Sequence, residues 1–128
     1  MCGAVRFEIV APLVEASWCH CTRCRRRTGT PASAQARIVP GSLSVVAGEE
    51  ALREHTPAGS FAKVFCGECG SGLWSRSPDD PDLISVRLGA FDGDPGIRPS
   101  YHQFVAYAAV WDPIPDDGLP RFPERRPR

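Results

Sequence analysis

The stretch Trp18-Cys19-His20-Cys21-Thr22-Arg23-Cys24 places three thiols within six residues. Cys19 and Cys21 stand two positions apart, so on a β-strand their side chains would face the same side. Cys24 follows after two further residues, which is a common spacing in zinc knuckles. The three thiols can therefore reach one tetrahedral ion through local geometry alone. Structural zinc sites normally use four protein ligands and catalytic sites keep one position open, so a three-cysteine site predicts reactivity.

A second knuckle follows downstream, in the stretch Cys66-Gly67-Glu68-Cys69-Gly70. Its two glycines allow the backbone to turn so that amide groups approach the sulfurs and reduce the charge on the thiolates. This pair alone supplies two ligands. Cys2, which is followed by Gly3, is the remaining thiol and the natural third ligand.

The six cysteines can be divided between metal sites in two ways. In one division, the last two thiols of the first cluster join the downstream pair as a single zinc ribbon and two cysteines are spare. In the other, every cysteine is used in one of two three-cysteine sites, and we favour this division. It gives a first triad of Cys19, Cys21 and Cys24 and a second triad of Cys2, Cys66 and Cys69.

Length and composition restrict the classes of protein that fit. The 128 residues suit one domain, 1–128, and the net charge of +0 gives no general attraction to nucleic acid or to acidic membranes. No apolar run approaches the roughly 20 residues that span a bilayer, and the N-terminus lacks a signal-peptide pattern. We therefore expect a cytoplasmic protein whose cysteines bind metal, because cytosolic thiols are kept reduced.

Short segments of alternating polarity, separated by turn residues, predict a mostly-β domain of short antiparallel strands. One helical turn is expected at Thr22–Thr28, with Gly29 ending it. From residue 113 onward five prolines disfavour helix and central strand, so we expect a Pro-rich extended C-terminal tail. The candidate strands are 5–9, 15–19, 34–39, 42–46, 51–55, 63–65, 72–74 and 83–88.

Five stretches, taken in order, resemble the family of glutathione-dependent formaldehyde-activating enzymes, which also includes centromere protein V. The match covers nearly the whole chain, and the ordered set of motifs is quite specific. The matching stretches are Cys2–Glu8, Cys19–Gly29, Phe65–Ser71, Gly89–Asp92 and Asp116–Pro120.

The resemblance implies a β-tent fold with one or two zinc ions per chain. By that resemblance the second triad holds a structural zinc and the first triad holds a catalytic, substrate-facing zinc. The family's opening motif has two cysteines separated by one residue, and this sequence supplies only Cys2. Either the true start lies upstream, or the site is completed by water, the Met1 amine or His55, or it is empty.

The resemblance also implies a reaction, in which glutathione and formaldehyde form S-hydroxymethylglutathione, classed as carbon–sulfur lyase chemistry. Zinc would either activate the substrate thiol or polarise the aldehyde oxygen. Arg23, Arg25 and Arg26, with Arg27, lie beside the first triad and can pair with substrate carboxylates, or they form a solvated basic face. His102 is the candidate proton carrier in the pocket.

The leading hypothesis is therefore a zinc-dependent enzyme that acts on a small thiol or on thiol–aldehyde adducts, with glutathione as the expected thiol. The alternative is a non-catalytic zinc module that binds protein or nucleic acid, although the lack of net positive charge disfavours nucleic acid. A third hypothesis is a redox role for Cys21 and Cys24 as a dithiol. Neither alternative predicts turnover of a thiol–aldehyde adduct.

Overall fold

The computed structural model describes residues 1–128, which form ten β-strands, one α-helix and three short 3₁₀ helices. Neither the α-helix nor a 3₁₀ helix has the length and apolar character needed to cross a bilayer. The strands are β1 (Arg6–Ile9), β2 (Glu15–Cys19), β3 (Ser33–Arg37), β4 (Leu43–Ala47), β5 (Leu52–His55), β6 (Ala62–Cys66), β7 (Gly72–Arg76), β8 (Ile84–Arg87), β9 (His102–Gln103) and β10 (Arg121–Phe122). The helix α1 spans Thr22–Thr28, and the 3₁₀ helices span Glu49–Ala51, Leu88–Ala90 and Val105–Tyr107.

Eight of the strands form one sheet in the order β10-β9-β2-β3-β8-β7-β6-β5, while β1 and β4 pair as a separate two-stranded sheet. β2 is an inner strand of the large sheet, with β9 on one side and β3 on the other. The cysteine-rich stretch therefore leaves the sheet from a position fixed by hydrogen bonds on both sides.

The mostly-β expectation is confirmed, but the strands are not all antiparallel. β9 runs parallel to β2, and β10 runs parallel to β9. A parallel pair requires a long connection between its strands. Here the chain returns to the edge of the sheet only after β8, far along the sequence from β2. No turn pattern in the sequence therefore predicts these pairings.

The structure also sets the boundaries of the elements. The helix occupies Thr22–Thr28 as expected, and Gly29 ends it in the left-handed conformation with a φ of 68°. β2 occupies the expected residues, and the other candidate strands differ from the observed ones by one or two residues at their ends. β9 and β10 had no counterpart among the candidates, because strands of two residues carry no periodicity.

The small sheet covers one face of the large one and closes the core. Phe7 of β1 packs edge-on against Trp74 of β7, with ring centroids 5.4 Å apart, and against Phe91 at 6.0 Å. Only 23 of the 128 residues are buried. So small a core makes its largest members important for stability. The buried cluster consists of Ala16, Ala36, Ile38, Val64, Leu73, Trp74 and Val86.

Replacing the core indole should destabilise the fold much more than replacing an exposed one. We expect Trp74→Ala to lower the free energy of unfolding by about 3–5 kcal/mol, because it leaves a cavity beneath Phe7. Trp111, which is 64% exposed, is the matched control, and Trp111→Ala should change stability by about 0.5 kcal/mol or less. Urea unfolding measured by circular dichroism tests both variants. Equal losses would contradict the packing described above.

Candidate functional site

The first triad is assembled where β2 passes into α1. Cys19 is the last residue of β2, Cys21 caps the helix, and Cys24 lies in its first turn. The Cys21 Sγ accepts a hydrogen bond from the Cys24 backbone N–H at 3.3 Å, as a capping side chain does. The three sulfurs all lie within 4.8 Å of one another. Sulfurs bound tetrahedrally at about 2.3 Å stand about 3.8 Å apart, so this triad fits a zinc ion with small adjustments.

The sulfurs of the first triad also influence each other's ionisation. Hydrogen bonds with the thiols of Cys19 and Cys24 lower the pKa of Cys21. Contacts with Cys21 and Cys24, together with burial, raise the pKa of Cys19. A cluster of this kind retains negative charge on one sulfur, and a cation bound to all three would replace the remaining protons.

The second triad joins Cys66 at the end of β6 and Cys69 in the turn after it to Cys2 near the N-terminus. The Sγ atoms of Cys2 and Cys66 are 3.8 Å apart, which is the separation expected for two sulfurs on one zinc ion. The sulfurs of Cys2, Cys66 and Cys69 all lie within 4.8 Å of one another. The Ser71 hydroxyl, 3.2 Å from the Cys69 sulfur, helps lower the pKa of Cys69 to about 6. This triad also fits a metal ion, with three sulfur ligands from the chain.

Glycines allow the second knuckle to form its tight turn. Gly70 adopts a φ of 78°, and its N–H donates to the Cys66 carbonyl at 2.8 Å. Gly67 lies against the end of the 3₁₀ helix Glu49–Ala51, where a Cβ would stand 2.8 Å from the Ala51 carbonyl oxygen. The backbone can therefore bend around the sulfurs as the knuckle pattern predicts.

The structure groups the six sulfurs as the two triads and does not assemble the ribbon that would join Cys21 and Cys24 to the downstream pair. All six thiols are free of disulfide bonds. No histidine nitrogen or carboxylate oxygen joins either triad, so His55 is not at the second triad. Each triad consequently offers three protein ligands.

The first triad contributes its cysteines to a cavity wall, whereas the second triad contributes only neighbouring residues such as Ser71. The three cysteines of the first triad line a cavity of about 1270 Å³, whereas no cysteine of the second triad lines that cavity or a neighbouring one of about 1570 Å³. The cavity beside the first triad is large enough for a small organic molecule. The two triads therefore differ in whether their cysteines themselves line a cavity.

The three arginines that the sequence suggested as substrate ligands lie in different places in the structure. Arg23 lines the cavity beside the first triad and donates to the Ala58 carbonyl at 3.0 Å. Arg25 donates to the Tyr107 carbonyl at 2.8 Å and lines neither cavity. Arg26 lines the neighbouring cavity only. Of these three side chains, only Arg23 stands where a ligand of the first triad would meet it.

Two other basic residues lie near the first triad, and no pattern in the sequence predicted their positions there. Lys63 of β6 lines both cavities, and burial lowers its pKa. Arg87 of β8 is 6% exposed and forms no ion pair. Its guanidinium donates to the hydroxyls of Ser33 and Ser75 at 2.7 and 3.1 Å. Because each lies alone on a strand, only the folded sheet brings these cations toward the sulfurs.

Two histidines and a carboxylate form a hydrogen-bonded chain behind the first triad. The His20 Nε2 lies 2.8 Å from the His102 Nδ1, and the His102 Nε2 lies 2.9 Å from an Asp117 oxygen. Both rings are buried, at 4% and 2% exposed. His102 does not line the cavity of the first triad. It connects the peptide between two cysteines to the loop before β10.

The hydrogen bonds among His20, His102 and Asp117 indicate which ring nitrogen atoms carry protons. The hydrogen bond to His102, followed by the Leu119 backbone N–H, lowers the pKa of Asp117, which is therefore ionised at neutral pH. An ionised carboxylate accepts, so the His102 Nε2 donates to Asp117, and with a neutral His102 ring its Nδ1 accepts from the Nε2 of His20. Burial lowers the pKa of His20, which favours the neutral form of that ring.

Removing the carboxylate should weaken the fold in a pH-dependent manner. Because the pKa of Asp117 is lowered on folding, its contribution is present above the unfolded value of about 3.9 and is lost as the pH falls through the folded value. We expect Asp117→Ala to lower the melting temperature at pH 7, and the difference from the native protein to shrink in strong acid. Asp116→Ala is the adjacent control. Thermal unfolding followed by circular dichroism that gives equal shifts for both variants would contradict the chain.

Comparisons with known proteins agree with this architecture. The sequence model of the family described as glutathione-dependent formaldehyde-activating enzyme matches residues 1–107, which include both triads. A Halomonas elongata protein that carries this family's name is 30% identical over 101 residues. Those residues are 73% of this chain and 63% of the relative, so the match spans less than two thirds of that relative.

A solved structure has a similar fold. The crystal structure of a Rhodobacter sphaeroides protein aligns with a TM-score of 0.56 at 25% identity, covering 94% of each chain. The family match ends at residue 107, whereas the structural match covers most of the chain. Asp117 and the C-terminal segment thus lie outside the part of the sequence that the family model matches.

Proposed function

This chain belongs to the glutathione-dependent formaldehyde-activating enzyme family, and we propose that it joins a small thiol to an aldehyde. The product is a hemithioacetal of the S-hydroxymethylglutathione type, and the reverse reaction is carbon–sulfur cleavage. In this proposal the two sheets form the β-tent of the family. The observation that carries the proposal is the first triad, whose three sulfurs converge within 4.8 Å at the wall of a cavity.

Cys19, Cys21 and Cys24 would hold a catalytic zinc ion, and Cys2, Cys66 and Cys69 a structural one. Three sulfur ligands leave one tetrahedral position free, and only the first triad contributes its cysteines to a cavity wall. When bound there, zinc lowers the pKa of a coordinated thiol so that the thiol is a thiolate at neutral pH.

The residues around the cavity then have separate tasks. In the forward direction the thiol sulfur bonds to the aldehyde carbon, and the proton lost by the thiol is balanced by one gained at the aldehyde oxygen. Lys63 and Arg23 line the cavity and would offset the negative charge that develops on that oxygen. The buried Arg87 would add positive charge close to the sulfurs, where three thiolates gather.

His102 has a positioning role in this proposal and does not contact substrate. It holds His20 at 2.8 Å, and His20 stands between two of the proposed ligands. Asp117 fixes the tautomers of both rings through its contact with His102. The chain would thereby orient the Cys19–Cys21 backbone and keep the sulfurs pointing toward the cavity.

The family match does not favour the alternative of a zinc module without turnover, although that alternative predicts the same metal sites. The two hypotheses differ in whether the protein accelerates thiol–aldehyde exchange. A metal assay combined with a rate measurement therefore distinguishes them.

Serine substitutions in the two triads provide matched variants for this test. We expect Cys21→Ser to lose one zinc ion per chain and to lower activity by at least about 100-fold, because a lost ligand costs more than a lost supporting contact. Cys69→Ser should lose the other zinc ion and lower the melting temperature, while the zinc-loaded first triad still accelerates the reaction. Elemental analysis gives the zinc content, and NMR exchange spectroscopy with glutathione and ¹³C-formaldehyde gives the rate above the uncatalysed exchange.

Unchanged zinc content and unchanged activity in Cys21→Ser would falsify the assignment of the first triad. A native protein that binds zinc but leaves the exchange rate at its uncatalysed value would contradict the proposed reaction and favour the binding module.

A further inference from the structure

The C-terminal segment, residues 121–128, reaches the cavity beside the first triad, and its residues 124–128 line one wall. β10 pairs with β9 at the edge of the large sheet. The Phe104 N–H donates to the Glu124 carbonyl at 3.0 Å, and the Ala106 N–H donates to the Pro123 carbonyl at 3.2 Å. The segment is thus docked through its backbone, and it lies outside the part of the chain that the family model matches.

Side chains further anchor this segment. Arg126 forms an ion pair with Glu15 of β2 at 2.8 Å, and its guanidinium lies 4.7 Å from the centre of the Tyr101 ring. The Tyr107 hydroxyl donates to the Glu124 carboxylate at 2.9 Å. These contacts engage two of the acidic side chains at the cavity wall and leave other arginines of the same wall without an acidic partner.

The charges lining the cavity are unbalanced, although the chain as a whole has a net charge of +0. The lining has twice as many basic as acidic side chains. The basic ones are Arg23, Arg37, Lys63, Arg125, Arg126 and Arg128, and the acidic ones are Glu15, Asp79 and Glu124.

Three of these arginines line the same cavity without forming an ion pair. Arg37 of β3, Arg125 and Arg128, here called the arginine cluster, form no ion pair with a side chain of the protein. Burial lowers the pKa of Arg37, and the nearby charges of Arg128 and Arg125 act in the same direction, while Glu15 opposes them. Arg125 lies 5.7 Å from the centre of the Phe61 ring at the same wall.

Like charges held together in a cavity raise the free energy of the protein, and a bound anion removes that cost. Guanidinium groups bind carboxylates through two parallel hydrogen bonds, and lysine cannot reproduce that geometry. A thiol that carries a carboxylate at a distance from its sulfur would therefore satisfy both ends of this cavity.

We propose that the arginine cluster binds a carboxylate of the substrate thiol, so that the C-terminal segment selects anionic thiols for the first triad. This inference rests on the proposed function for the identity of the reaction. The anion site itself depends only on the docked segment and the unpaired arginines. The proposal therefore moves carboxylate recognition away from Arg25 and Arg26, whose positions the structure places elsewhere.

Binding of S-methylglutathione, which keeps both carboxylates but has a blocked sulfur, tests the anion site without turnover. We expect titration calorimetry on the full chain to show a Kd about tenfold higher for the double variant Arg125→Gln/Arg128→Gln than for the native protein. Arg98→Gln is the matched control, because Arg98 pairs with Asp94 on the surface and lines neither cavity. Its Kd should equal the native value.

A comparison of two thiols tests whether the arginine cluster makes the protein select anionic thiols. With glutathione the double variant should have a KM raised about tenfold and an unchanged kcat, whereas with cysteamine, which has no carboxylate, both constants should equal the native values. A double variant that binds S-methylglutathione as tightly as the native protein would overturn the proposal, as would equal losses with both thiols. In a third outcome, the double variant binds S-methylglutathione more weakly while the native protein accelerates no thiol–aldehyde reaction. That combination of results would support the anion site and contradict the proposed function.

Discussion

Three sulfur atoms held within 4.8 Å of one another at the junction of β2 and α1 are the constraint on which the rest of the site depends. Thiolates at this separation repel each other unless protons or a cation bind them. A helix-capping hydrogen bond and basic side chains near the sulfurs, including the buried Arg87, reduce this repulsion. The arrangement of the sulfurs is also close to that of zinc ligands. The cavity, the histidine chain and the C-terminal segment are all arranged around this point.

The second triad has a different relation to the fold. It joins the N-terminus, through Cys2, to the knuckle after β6, and so connects parts of the chain that are far apart in sequence. A domain with few buried residues gains little from its hydrophobic core alone. A metal ion at this triad would add a cross-link between these parts of the chain, whereas the cysteines of the first triad line the cavity.

The grouping of the six cysteines could be predicted from the sequence, whereas the contacts of the histidines and arginines could not. Cys19, Cys21 and Cys24 are close in sequence, so strand and helix periodicity were enough to group them. The partnership of His20 with His102 and Asp117 joins residues that meet only because β9 lies beside β2 in parallel. The positions of the arginines depend likewise on the sheet order. Local spacing placed the arginines after Cys21 beside the first triad, as carboxylate ligands or a solvated basic face, but successive residues of a helix point in different directions.

The most direct test of this account is zinc X-ray absorption spectroscopy on the purified full chain, with the zinc content measured on the same sample. Two three-cysteine sites predict two zinc ions per chain and an average first shell of three sulfurs at about 2.3 Å with one lighter oxygen or nitrogen atom. One zinc ion with four sulfur ligands would indicate the ribbon in place of two triads. A protein without bound zinc would remove the basis for the proposed reaction.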